Sequence, residues 1–303
     1  MKRAVWAAAA LWLALLPCGG AAETFTDALG RRVEVPDPPQ RAVALEGSLA
    51  DAFLLCGGTL VGTTQDAISE RKLALGEDVA AVGTVNNPSL ELTFAQEPDF
   101  ILLSADNASH VSLAKTLETL GVPFAYFTAN TREDYMATVE TLCRVNGREE
   151  LIDAQRQAVE APVDELLSRV RQDERYGRRT ALLLRAYSSG VRAKGSDNLA
   201  GAVLRDMGLV NIAEREGTVL EAITLEQIVA DDPDYIFITT MGSSYEKAME
   251  ALAEELTGHP AWGTLTAVKE GRVYELPRDL FHYKPNARWA EAYALIEEWV
   301  YAK

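Results

Sequence analysis

The chain has 303 residues, 48% of them hydrophobic and 24% charged, enough for two ordinary domains with their own cores. Asp and Glu number 45 against 29 Lys and Arg, so the net charge is −16, and −18 once a leader carrying Lys2 and Arg3 is removed. That balance argues against nucleic acid and against an anionic membrane surface as partners.

Residues 1–22 read as an export signal. Lys2 and Arg3 precede an uncharged apolar run from Ala4 to Leu16, which is too short to span a bilayer comfortably. Two endings fit. Cleavage after Ala22 suits the small residues Gly20, Ala21 and Ala22. Alternatively, Leu15-Leu16-Pro17-Cys18 resembles a lipoprotein signal in which Cys18 is lipidated, although Pro17 stands where such signals favour a small residue. Either ending places the mature protein outside the cytoplasmic membrane, in the periplasm or on its outer face.

After the leader, residues 25–39 form an extended lead-in, with a small hairpin from Asp27 closed at Pro36-Asp-Pro-Pro39. From Arg41, apolar runs of strand length (42–45, 60–63, 80–83, 100–103, 124–127) alternate with helical patterns (48–56, 90–96, 111–120). Residues 132–145 are helical. After Asn146-Gly147, a polar-faced helical stretch covers about 149–172, containing Pro162 and no Gly. The alternation then resumes, with strands at 180–184, 235–238 and 273–276 and helices at 198–207, 225–230, 245–256 and 287–301. This order predicts an α/β protein of two lobes with mainly parallel sheets flanked by helices, joined by one long connecting helix. The N-terminal lobe would span 23–147, the connector 148–174 and the C-terminal lobe 175–303.

The two lobes share a pattern. Residues 89–104 align without a gap on 224–239: a capping Ser89 or Thr224, then Leu-Glu, a short amphipathic run, Pro-Asp and a buried strand. Residues 48–54 and 198–204 align more faintly. Cys56 and Cys143 fall near the ends of two predicted helices of the first lobe. In an oxidising compartment they could pair as a disulfide, or remain two buried thiols.

In such sheets, ligands gather at the carboxyl ends of the strands. That points to the loops at Glu46–Ser48, Thr64–Asp66, Asn86–Asn87 and Ser104–His110 in the first lobe. In the second it points to Arg185–Gly190, Thr240–Ser244 and Pro277–Lys284. None carries a nucleophile elbow, phosphate loop, dinucleotide fingerprint or zinc-protease motif. A secreted α/β hydrolase stays as the alternative of another class, resting on loop Ser and Asp with His110, His259 or His282. His110 and His259 read as structural. The segment from Leu280 to Trp289 is rich in aromatic and basic residues. Phe281, His282, Tyr283 and Lys284, with Arg185 and Tyr187 from the other loop, are the candidate ligand wall through stacking and charge.

Taken together, Arg41-Ala-Val-Ala-Leu45, Asn87-Pro-Ser-Leu-Glu91, Pro98-Asp-Phe-Ile-Leu102, Gly195-Ser-Asp-Asn-Leu-Ala200, Pro233-Asp-Tyr-Ile-Phe237 and Ala267-Val-Lys-Glu-Gly-Arg-Val-Tyr274 resemble the substrate-binding proteins of ABC importers for iron complexes, haem and cobalamin. The resemblance covers nearly everything after residue 24. It implies a monomeric non-enzyme with no intrinsic cofactor, a ligand held between the lobes, and a permease with ATPase subunits as partners. It also implies one acid per lobe docking on the permease, at Glu91 and Glu226. The cleft loops lack a multi-carboxylate or multi-cysteine set for a bare metal ion, which favours a chelate. A ferric siderophore or haem is expected, with a corrinoid as the alternative. Arg185, Arg192 and Lys194 would neutralise an anionic siderophore, whereas His282 or Tyr283 would ligate haem iron.

Overall fold

The computed structural model describes residues 22–35, 38–215, 224–242 and 244–302. Residues 1–21 of the export signal, Cys18 among them, lie outside the described residues.

Ala42–Ala44, Phe100–Ser104 and Phe124–Phe127 are buried on both faces, a pattern only a sheet covered on both sides can accommodate. They form the middle and one edge of a five-stranded parallel sheet, in the order Ala80–Ala81, Leu60–Thr63, Ala42–Ala44, Phe100–Ser104, Phe124–Phe127. Alternate residues go to opposite cores: Phe100 and Leu102 to one face, Ile101 and Leu103 to the other. The expected hairpin pairs Glu23–Thr26 with Arg32–Val35. Asp27 closes its turn by accepting from the N–H groups of Leu29 and Arg31, and anchors it by accepting from Tyr126 N–H.

The second sheet centres on Thr180–Tyr187, which pairs in parallel with Tyr235–Thr240, itself parallel to Val273–Glu275. Gly190–Ala193 adds an antiparallel edge. Here the structure departs from the expected pattern. Thr180–Tyr187 does not end at residue 184 but turns back through Ser188-Ser189, because Arg185 and Tyr187 continue the ladder against Arg192 and Gly190. The helix expected at 111–120 is likewise two pieces, Ala108–Val111 and Ala114–Leu120.

Glu150–Val170 is the connecting helix, 21 residues and so about 32 Å long. Pro162 removes one intrahelical donor, but it sits on the exposed face, where water can satisfy the freed Ala158 carbonyl. The opposite face, Val159, Val163, Leu166, Leu167 and Val170, is buried in a core that also takes Phe100, Phe237, Trp289 and Tyr293. That core therefore runs through the connector into both sheets. The repeat is realised in three dimensions. Ser89 accepts from Leu92 N–H at the start of Leu90–Phe94, and Thr224 forms a capping box with Gln227 at the start of Leu225–Asp231. Each helix leads to a strand that pairs with the first strand of its sheet in chain order.

The disulfide is not present. Cys56 and Cys143 are free and buried, and the Cys56 thiol donates instead to Val139 O at 3.4 Å.

Candidate functional site

The carboxyl ends of both sheets open on a cleft of about 610 Å³. Six of the seven loops picked from the strand ends contribute to it, since parallel strands all deliver their following loops to one edge. The first lobe supplies a polar wall, with the acids Glu46, Asp66, Glu70 and Asp106 beside Arg71, Asn86 and Asn107. The second supplies Met241, Gly242 and the turn bearing Arg278, His282, Tyr283 and Lys284.

Burial alone would raise the Glu46 carboxyl. Lys284, the hydroxyls of Ser48 and Ser104, and His110 outweigh it, and hold the group below the usual carboxylate range. His110 is fully buried and neutral. Burial pushes its pKa down against the pull of Glu46, the Val85 carbonyl and Asp66. Its Nδ1 accepts from Ser104 N–H at 3.0 Å, which leaves Nε2–H to donate to Val85 O at 2.8 Å. The residue thus ties two cleft loops together.

Across the cleft, Arg278–Phe281 is a single helical turn following the strand Val273–Glu275. Arg278 donates to Gly242 O at 3.0 Å and to the Tyr283 hydroxyl at 2.9 Å, with its guanidinium over the Tyr283 ring. His282 is held down to about 4, by burial first and then by the neighbouring charges of Arg278 and Arg185. It is therefore neutral near pH 7, with a buried Nδ1 that has no hydrogen-bond partner among the described residues. Lys284 Nζ lies 2.8 Å from Asp106 of the opposite wall.

The candidate wall was thus only partly placed by sequence. His282, Tyr283 and Lys284 line the cleft. Phe281 does not: it is 3% exposed, because the helical turn aims it into the shared core with Trp289. Arg185 and Tyr187 also lie off the lining, since they sit within a strand rather than on a loop. Arg185 instead donates to Asn198 Oδ1 at 3.1 Å and Thr239 Oγ1 at 3.4 Å, although it is near enough to His282 to influence it. Arg192 stands opposite Arg185 on the adjoining strand, which Lys194 directly follows. Sequence reasoning missed Arg71. It follows the short helix Gln65–Ser69, in a Glu-Arg-Lys run that reads as ordinary surface, yet it donates to the carbonyls of Tyr283 and Lys284 and to Asp51.

Neither His110 nor His259 is set to activate a serine among the described residues. Both ring nitrogens of His110 are engaged, and His259 Nδ1 accepts from Ala261 N–H to cap its own turn. Among the described residues, no group of three or more His, Cys, Asp or Glu could hold a metal ion. Glu91 and Glu226 are exposed, each in the first turn of its capped helix. Glu226 is held below the usual range by backbone N–H bonding and the Thr224 hydroxyl.

Residues 43–280 match the family model described as periplasmic binding protein. The chain is 26% identical over 255 residues to the Fe(3+)-citrate-binding protein YfmC of Bacillus subtilis, covering 82% of this chain and 76% of that one. It is 26% identical over 280 residues to the putative ABC transporter substrate-binding lipoprotein YhfQ of the same organism, covering 86% and 83%. Among solved structures, Staphylococcus aureus IsdE complexed with heme superposes with a TM-score of 0.73 at 15% identity, covering 86% of this chain and 98% of that one. At that identity the likeness concerns the fold.

Proposed function

Because the chain belongs to the periplasmic binding protein family, we propose that it is the extracytoplasmic substrate-binding component of an ABC importer whose cargo is an anionic ferric chelate. The observation that carries the choice of cargo is the second-lobe wall, where Arg278 and Lys284 present two fixed cations beside a neutral His282. A chelate brings its own iron ligands and asks the protein mainly for charge and hydrogen-bond donors, which fits the two cations of the second-lobe wall and the lack of a metal-holding cluster among the described residues. The Fe(3+)-citrate-binding relative supports the same chemistry. Haem is the second reading, favoured by one feature: His282 lines the cleft and its ring is unprotonated near neutrality, as an axial ligand to iron must be.

On this reading the lobes are 23–147 and 175–303, with 148–174 between them, and the protein acts as a monomer. Glu91 and Glu226, exposed at equivalent helix starts, dock on basic patches of a permease coupled to ATPase subunits. Residues 1–22 direct export, and Cys18 is the candidate anchor, in keeping with the lipoprotein relative. No helix of the described residues is long and apolar enough to cross a membrane.

The test is a fluorescence and absorbance titration of the purified protein with ferric citrate, a ferric catecholate, a ferric hydroxamate, haem and cyanocobalamin. Saturable micromolar or tighter binding of a ferric chelate is expected. Binding of cyanocobalamin alone, or turnover of ester substrates with no chelate bound, would overturn the proposal.

A further inference from the structure

Lys284 carries an ion pair that joins the two lobes directly across the ligand cleft. Its ammonium lies 2.8 Å from Asp106 Oδ2, and the pair is partly buried, with side-chain exposures of 15% and 32%. Asp106 is itself fixed by its own lobe, accepting from Thr128 Oγ1 at 3.0 Å and Asn130 Nδ2 at 2.7 Å. Its carboxylate is thus presented to Lys284 already oriented, as a bound ligand's carboxylate would be.

The backbone around Lys284 shows the same cross-lobe dependence. Lys284 has φ of 64° and Asn286 φ of 50°, both in the left-handed region, which costs a residue such as Lys about 1–2 kcal/mol and Asn less. Contacts from the first lobe hold both. Arg71 donates to the Lys284 carbonyl at 2.9 Å, and Asn286 Nδ2 donates to Ser48 O and Asp51 Oδ2, each at 2.8 Å. A strained turn persists only where its surroundings over-determine it, and such turns mark places where a change of contacts can shift a conformation.

We infer that Asp106 is an internal substitute for the cargo's anionic oxygen: it holds Lys284 across the cleft and yields it to the chelate, so that closure around cargo is an exchange of one anion for another. This rests on the anionic-chelate reading above. It makes Asp106 a competitor that lowers affinity, although it lines the binding cleft, whereas Lys284 raises affinity. A purely structural role would make both residues matter in the same direction.

The experiment measures ferric citrate affinity by fluorescence titration, and hydrogen exchange of residues 282–288 without added chelate, in the wild type, Asp106→Asn, Asp106→Ala and Lys284→Met. Both Asp106 variants should bind ferric citrate about tenfold more tightly, the scale of one charge-assisted hydrogen bond, and Lys284→Met about tenfold more weakly. Exchange at 282–288 should be faster in all three variants. If the wild type binds ferric citrate and neither Asp106 variant binds it more tightly, the inference is overturned while the proposed function stands. If exchange speeds up but neither the wild type nor any variant binds ferric citrate or the other ferric chelates of the titration above, the proposed function and the exchange of anions both fail and the cross-lobe latch alone remains.

Discussion

His282 gives the most direct test of the cleft's electrostatics. The ring sits near Arg278 and Arg185 and is largely desolvated, so its pKa falls from the ordinary 6.5 to about 4. In the unfolded chain the same imidazole takes up a proton near pH 6.5, so between pH 6.5 and 4 the unfolded state binds more protons than the folded one. Stability therefore rises with pH through this window and is lost as the pH drops toward 4. At 1.36 kcal/mol per pH unit the full gap would be worth about 3 kcal/mol, and partial exposure of the ring reduces it to roughly 2 kcal/mol. The perturbation is His282→Gln, which keeps a polar side chain of similar size and cannot titrate. Urea unfolding at pH 7.5 and at pH 4 should show the wild type losing about 2 kcal/mol more than His282→Gln over that interval. Carboxylates and His110 also titrate on the way down, but they do so in both proteins, so the difference isolates His282. Two stability curves that stay parallel within about 0.5 kcal/mol would refute the claim that the ring is buried between like charges.

Replacing both Glu91 and Glu226 with Ala should leave chelate affinity within about twofold, because both side chains are exposed and outside the cleft, while uptake in cells falls at least tenfold; undiminished uptake would exclude docking. Arg278→Ala should weaken ferric citrate binding by about tenfold or more, and Arg185→Ala by less, since Arg185 is spent on Asn198 and Thr239; calorimetric titration showing the reverse order would place the cargo against the strand hairpin instead. Asn286→Ala should cost roughly 3–5 kcal/mol in urea unfolding, from two lost hydrogen bonds, one to the Asp51 carboxylate, and a left-handed backbone that Ala resists; a loss below about 1 kcal/mol would show that the turn is not held as described.

The sequence alone determined most of the elements and their order, though not the edge strand Gly190–Ala193 or the short helices Gln65–Ser69 and Arg278–Phe281. The period-two and period-3.6 patterns, the caps at Ser89 and Thr224 and the internal repeat are local signals, read over a few residues, and they predicted two sheets, a connecting helix and the edge on which ligand loops emerge. His282, Tyr283 and Lys284 were legible as cleft residues because they belong to the segment that leaves the carboxyl end of the strand Val273–Glu275. Phe281 was not, since which way a residue on a single helical turn points depends on a core assembled from both lobes. Arg185 and Tyr187 were misplaced because a Tyr-Ser-Ser-Gly turn gives no clear sign of whether the strand before it stops or pairs back on itself. The contacts that shape the cleft were decided only by tertiary structure. Lys284 and Asp106 are 178 residues apart, Arg71 and the Lys284 carbonyl 213, and Asn286 and Ser48 238. No local pattern marks such pairs, because each half is an ordinary polar residue until the folding of two separate sheets brings it within hydrogen-bond reach of the other.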